Sequence, residues 1–391
     1  MSKKNKGNLK TLRETFEVIE KSMFEQPEYY NHSYNNLYMI DKTKNGTEAN
    51  LLLKNFYYSN KFSLYISFEE MLQKLIPYLF KKTSNQIEIF KKDLGEIREF
   101  KVYKWITGLH TEDKVEMGDY TVYNFEKHKE NFKDEIKRPD IKLFKQIESS
   151  YLLEIRVKAM GGIFALERAN NKEKNFINAM HYFFGENYRI IIGILKGNWE
   201  NELAISEIEG EKKYAHRSSG ETKLIANLDE FLESLEKKSI KDNIFKLLSE
   251  EGNNKLEEVI KTSFNWLGES VGERDESTSL LKGMIALEAI FSRKATGIAP
   301  SILSLVCDST AIILSDDFNE RKEIAKRLKE IYNLRSEIVH EGAKGLPLKT
   351  MKSYLTSIVK IVHSNLLLDE KWKNYSNKEE FLNVISDEKF K

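Results

Sequence analysis

The sequence predicts an α+β region, residues 1–230, followed by an all-α helical bundle, residues 231–391. Two patterns predict it. From about residue 36 to 230, short segments alternate apolar and polar positions and are interrupted by helical runs. That irregular interleaving fits an α+β arrangement and not a regular βαβ series. Beyond about residue 230 the alternation stops. Apolar residues there recur every three or four positions, in runs joined by short polar connections, as in a bundle of antiparallel neighbours.

Taken in order, residues 8–25 read as a helix with Leu9, Leu12, Phe16, Ile19 and Phe24 toward one side. Strands are expected at 62–68, 100–106, 120–125, 151–157 and 188–195, where Tyr, Phe, Ile and Val suit a half-buried pleated surface. Residues 171–184 read as a helix, with Gly185 at the position where a C-cap takes left-handed backbone. Helices follow at 228–249, 254–270, 277–293, 300–314, 319–341 and 349–368, and Gly272, Gly297, Pro300, Gly342, Gly345 and Pro347 punctuate them. Asp316 and Asp317 read as the cap of the helix that begins near 319. The junction at 230–250 is a charge-rich helix, which predicts a rigid joint, not a hinge. No internal repeat is present.

Composition narrows the function. The chain is 40% hydrophobic and 31% charged, as in ordinary globular proteins. Its single cysteine, Cys307, excludes an intramolecular disulfide framework and fits a reducing cytoplasm; lying in an apolar run, it reads as a buried, inert thiol. The longest apolar runs, such as 190–195, are far too short to cross a bilayer, so no membrane partner is expected. Lys3, Lys4, Lys6 and Lys10 are followed by no apolar segment of the kind a secretory signal needs. A net charge of +1 gives no global pull toward nucleic acid. That argues against a protein that coats nucleic acid but not against an enzyme that cuts it.

No metal or cofactor is expected. His32, His110, His128, His181 and His216 show no ligand spacing, and there is no H-E-x-x-H, phosphate loop or Gly-rich dinucleotide fingerprint. Gly161-Gly162 reads as a turn, Lys81-Lys82 and Lys91-Lys92 as solvated faces. Tyr29, Tyr30, Tyr34, Tyr38 and 56–58 have the composition both of strand cores and of a base-stacking surface.

The informative constellation lies in the helix at 319–341. Ile324, Leu328, Ile331, Arg335 and Ile338 recur at spacings of four and three, so Arg335 occupies a stripe otherwise aliphatic. A charge there needs a partner or a functional reason. In the helix at 277–293, Glu288 interrupts the stripe Leu281, Met284, Phe291. A Glu288–Arg335 pair follows as an expectation, either as a structural salt bridge or as the orientation of a catalytic Arg. His340 lies in the last turn, just before Gly342, where the negative end of the helix dipole favours imidazolium. Five residues at about 100° each set His340 roughly 140° around from Arg335, so convergence calls for a distorted last turn or two copies meeting across a twofold axis. An Arg and a His suffice for general acid–base attack by a ribose 2′-hydroxyl, which needs no metal.

The segment Ile285-Ala-Leu-Glu-Ala-Ile-Phe-Ser292, followed about 40 residues on by Ile331-Tyr-Asn-Leu-Arg-Ser-Glu-Ile-Val-His-Glu-Gly342, resembles the Apea-like branch of the HEPN superfamily over roughly residues 250–370. The Arg-x4-His spacing alone is a weak signal; the A-L-E-A and Y-x-x-R-S-x-I-V-H segments together are far more specific. The resemblance implies a HEPN-type helical bundle that dimerises. It also implies a metal-independent endoribonuclease with Arg335 and His340 as catalytic residues, and Glu288, Ser336 and Tyr332 in support. Many HEPN nucleases carry Asn, Asp or His directly after the Arg, where this chain has Ser336. The implied biology is a toxin of antiviral defence, with RNA as substrate. The N-terminal region would then sense a phage-derived or nucleic-acid trigger, or shape substrate access. The alternative is a catalytically silent HEPN module for dimerisation or RNA binding. His363, on the helix at 349–368, is open to a packing role or to an approach to the site.

Overall fold

The computed structural model describes residues 51, 54, 55, 57, 58, 61–68, 70, 71, 74, 97–137, 143, 149–185, 188, 190–192, 201–208, 211–218, 224–238, 240–249, 254–293, 302–341 and 348–389; at 191–192, 201–208, 211–218, 335–337 and 339–341 it describes the backbone alone. The helix expected at 8–25 and the aromatic run 29–38 lie outside these residues. The described residues fall into two compact units, one drawn from 1–102 and 156–171, the other from 103–155 and 172–391.

In the first unit, the strand expected at 62–68 is instead a 3-10 turn, Phe62–Leu64, leading into a helical turn. Lys61 enters it in the left-handed region at φ 58°. Tyr65 and Ile66 both donate their N–H to Phe62 O, and Ser67 Oγ accepts from Glu70 N at 3.1 Å as a cap does. The alternation misled because its apolar side chains do not share one buried face: Phe62 and Ile66 are buried, while Leu64 between them is 50% exposed.

Among the described residues the strands are β1 (Arg98–Thr107), β2 (Leu109–His110), β3 (Lys114–Met117), β4 (Tyr120–Asn124), β5 (Tyr151–Ala159), β6 (Ile191–Ile192), β7 (Asn201–Ile208), β8 (Glu211–Ser218) and β9 (Ala226–Asn227). Five form a small sheet in the order β3-β4-β5-β1-β6, with antiparallel registers Val115↔Val122, Val122↔Leu153 and Ile106↔Ile192. The hairpin between β3 and β4 turns at Gly118, whose φ of +59° suits glycine; a Cβ there would also meet Phe245 O at 2.8 Å. Strands β7 and β8 make a separate antiparallel pair, and β2 pairs with β9 in parallel.

Besides short helical turns at Phe125–His128 and Lys133–Lys137, the helices among the described residues are α1 (Gly162–Phe184), α2 (Leu228–Lys237), α3 (Lys241–Leu247), α4 (Lys255–Gly272), α5 (Glu276–Phe291), α6 (Ile302–Leu314), α7 (Phe318–Glu341), α8 (Leu348–Leu368) and α9 (Lys378–Glu388). The stretch read as one helix at 228–249 is two, α2 and α3, broken where Ile240 N closes back on Leu235 O. Helix α1 ends at Gly185 with φ +87°, as its C-cap position requires. Helix α4 begins at a capping box: Asn254 Oδ1 accepts from Leu256 N and Glu257 N, and Glu257 Oε2 accepts from Asn254 N.

One hydrophobic core joins α4 to α9. Leu267, Met284, Leu287, Phe291, Val306, Leu328, Ile331, Val359, Trp372 and Phe381 all lie within it. Cys307 is buried there, and burial pushes its thiol up to about 12, which leaves it protonated and inert. Close approach of the helices is made by glycine: a Cβ on Gly268 would lie 2.1 Å from Asn178 O of α1, and one on Gly283 would lie 2.8 Å from Leu355 Cδ2 of α8. Among the described residues no helix is long and apolar enough to cross a membrane.

Candidate functional site

Helices α5 and α7 carry the motif residues. Helix α5 starts at Asp275, whose Oδ1 accepts from Thr278 N at 2.7 Å; hydrogen bonds from Thr278 hold that carboxyl below its ordinary range. Helix α7 starts at Asp317, which accepts from Glu320 N at 2.8 Å, in the capping role read from the sequence. Ser315 Oγ donates to Glu320 Oε2 at 2.7 Å, which stiffens the first turn.

On α7 the expected stripe is the packing face. Leu328 and Ile331 are fully buried, while Ile324 and Ile338 are half-buried against the same core. Two turns before the helix ends, Tyr332 is half-buried, and its hydroxyl donates to Glu288 Oε1 of α5 at 2.8 Å. That bond joins the A-L-E-A helix to the helix bearing Arg335 and His340. On a helix, positions 335 and 336 share the face of 332 one turn on, whereas 340 is turned about 80° from it. The backbone of 335–341 is helical; the side chains of Arg335, Ser336 and His340 lie outside the described residues. One partner of Glu288 is thus the Tyr332 hydroxyl, which the sequence reading did not assign to it; the expected Glu288–Arg335 pair involves a side chain outside the described residues.

His363 is a packing residue. It is 1% exposed, with Nε2 2.7 Å from Ser263 Oγ and Nδ1 3.3 Å from Tyr182 Oη. Burial, with a smaller contribution from Lys360, pushes its imidazole down to about 3, so it stays neutral at working pH. His110 and His128 lie at the sheet: His110 Nδ1 is 2.6 Å from Tyr151 Oη, and His128 Nε2 is 2.8 Å from Asp113 Oδ1. Among the described residues no group of three or more His, Cys, Asp or Glu is placed to hold a metal ion.

Sequence reasoning missed Glu154, a carboxylate 2% exposed in the middle of β5. The hydroxyls of Tyr103 and Tyr123 donate to its Oε2 at 2.9 and 3.1 Å. Burial and the carboxylate push Tyr123 up to about 12 and Tyr103 further. The signal was a Glu set between the apolar Leu152, Leu153 and Ile155 of β5; its hydrogen bonds account for it as a satisfied polar group of the sheet core.

The exposed charges of α7 are of both signs, with Glu320, Glu323 and Glu330 as the acidic ones. Lys322, Lys326 and Arg327 are exposed on the same helix, and the Arg327 guanidinium lies 4.5 Å from the ring centroid of Tyr354 on α8. Helix α8 carries Lys349, Lys352 and Lys360 and no Asp or Glu.

Comparison with known proteins gives no match: no family model, no curated protein and no solved structure is significantly similar to this chain.

Proposed function

We propose that this chain is a metal-independent endoribonuclease of the HEPN type that works as a homodimer through its helical region. The observation that carries the reading is the Tyr332–Glu288 hydrogen bond, which ties together the two helices whose sequences bear the resemblance, one turn before Arg335. In this reading the exposed Lys349 of α8 and the exposed Lys322, Lys326 and Arg327 of α7 are the cations that meet RNA phosphates.

In this reading neutral His340 takes the proton from a ribose 2′-hydroxyl. The alkoxide forms a bond to the adjacent phosphorus, and the bond to the 5′-oxygen breaks. That oxygen takes a proton from the imidazolium of the second copy's His340. The products are a 2′,3′-cyclic phosphate and a 5′-hydroxyl. Arg335 stabilises the charge that develops on the phosphorane oxygens, and acid–base assistance of this kind contributes about 10²–10⁴-fold. By the same resemblance, the biology is antiviral defence, with the region 1–230 responding to a phage-derived or nucleic-acid trigger.

One observation favours a second reading, a silent dimerisation or RNA-binding module. Glu288 already has a neutral donor in Tyr332, which gives both residues a structural task without catalysis. Purified wild type and His340→Ala, incubated with total RNA and transfer RNA in EDTA, separate the two. Cleavage that leaves cyclic-phosphate ends and is lost in the variant supports the nuclease. RNA bound but left intact by a folded wild-type dimer supports the module.

A further inference from the structure

The helical region holds a cavity of about 520 Å³, walled by α3, the first turns of α4, the last turn of α8 and the segment leading to α9. No residue of α5 or α7 lines it, and its volume lies within the range of small-molecule sites. The floor is apolar and rigid: Leu256, Ile260 and Leu366 are each no more than 2% exposed.

The rim is cationic. Lys238, Lys246 and Lys373 line the cavity against one carboxylate, Glu257. Both oxygens of that carboxylate are committed, Oε1 to Lys246 Nζ at 2.6 Å and Oε2 to the α4 cap at Asn254 N. Lys373 Nζ pairs with Glu370 Oε1, so of the three lysines only Lys238 makes no ion pair among the described residues. Two asparagines add acceptors. Asn243 Nδ2 donates to Leu367 O at 3.3 Å and Asn374 Nδ2 to Glu370 O at 3.2 Å, which leaves their Oδ1 atoms for donors of a ligand. Tyr375 adds an aromatic face to the wall.

The geometry points to a second ligand site here, for a small phosphorylated molecule that carries hydroxyl or amino donors, of mononucleotide size. The lysines take the phosphate, the asparagine oxygens take the donors, and the apolar floor with Tyr375 takes the ring. The site stands apart from the proposed ribonuclease helix, so it is tested by binding and not by cleavage.

Isothermal titration of the full chain with the four 5′-nucleoside monophosphates, glucose 6-phosphate and inorganic phosphate decides it. At least one nucleotide should bind with a Kd below about 1 mM and well ahead of inorganic phosphate. The Lys238→Ala/Lys373→Ala variant should weaken it about tenfold at unchanged melting temperature, while Lys129→Ala, an exposed residue far along the sequence, should not. Glucose 6-phosphate binding as tightly, with the same loss in the variant, keeps the site and makes the ligand a sugar phosphate. The proposal is overturned if none of the compounds binds at millimolar concentration, if inorganic phosphate binds as well as all the others, or if the double variant binds as wild type does.

Discussion

At the scale of single residues, the Glu288–Tyr332 bond shows how far a sequence can name a pair. An acidic residue inside one apolar stripe and an Arg inside another pointed to each other, and the acid does reach across to α7. It receives the hydroxyl of Tyr332, one turn before position 335 on the same helix; the Arg335 side chain lies outside the described residues. Tyr332→Phe should lower stability by about 1–2 kcal/mol, the contribution of a partly buried hydrogen bond to a carboxylate. Urea denaturation checks this, and a midpoint unchanged from wild type would mean that the bond is not formed in solution.

His363 supports a second residue-scale prediction. Its folded-state value of about 3 lies below the ordinary ~6.5 of an unfolded chain, because it is buried among Ser263, Tyr182 and Phe264 with the charge of Lys360 nearby. Between those two values the unfolded chain holds the extra proton. The stability it contributes is therefore complete above about pH 6.5 and falls as pH drops toward 3, by up to ~1.4 kcal/mol per pH unit. The urea midpoint of wild type should fall more steeply between pH 7 and 5 than that of His363→Gln. Parallel slopes would show that the histidine is not held neutral.

At the scale of elements, the helices were legible and the strands only in part. The runs expected at 254–270, 277–293, 319–341 and 349–368 correspond to α4, α5, α7 and α8. Each is long enough for its apolar stripe to stand above chance. Strand β3 has four residues, with Lys114 and Glu116 outward and Val115 and Met117 inward, too short a pattern to register. Helix α9 was overlooked although its signals are present: Asn377 caps Glu379 N, and Phe381, Leu382 and Ile385 are buried at helical spacing. Close packing of α4 on α1 was not legible, since nothing in a sequence says which glycine faces a backbone. Gly268→Ala should cost about 1–3 kcal/mol, although alanine is the better helix former, because the added Cβ has Asn178 O 2.1 Å away. A thermal melt at or above that of wild type would contradict the packing.

At the scale of the whole molecule, a small antiparallel sheet in the N-terminal half and a helical C-terminal part agree with the fold class read from patterning. Of the candidate site, the sequence placed the two helices, whereas the Tyr332–Glu288 bond between them was not read from it. What it left open is convergence, because 140° on one helix separates Arg335 from His340. In the proposed reading two copies resolve this, so light scattering on the purified protein should give about twice the chain mass of 45.7 kDa. A monomer that still cleaves RNA would remove the second copy's histidine from the reaction.

The most direct measurement is RNA cleavage in EDTA by wild type and His340→Ala side by side, with the product ends mapped. The account predicts chelator-resistant cutting that leaves 2′,3′-cyclic phosphate and 5′-hydroxyl ends, abolished by the substitution in a protein that melts as wild type does. Cleavage of equal rate by His340→Ala, or none by a folded wild-type dimer across total and transfer RNA, would contradict it.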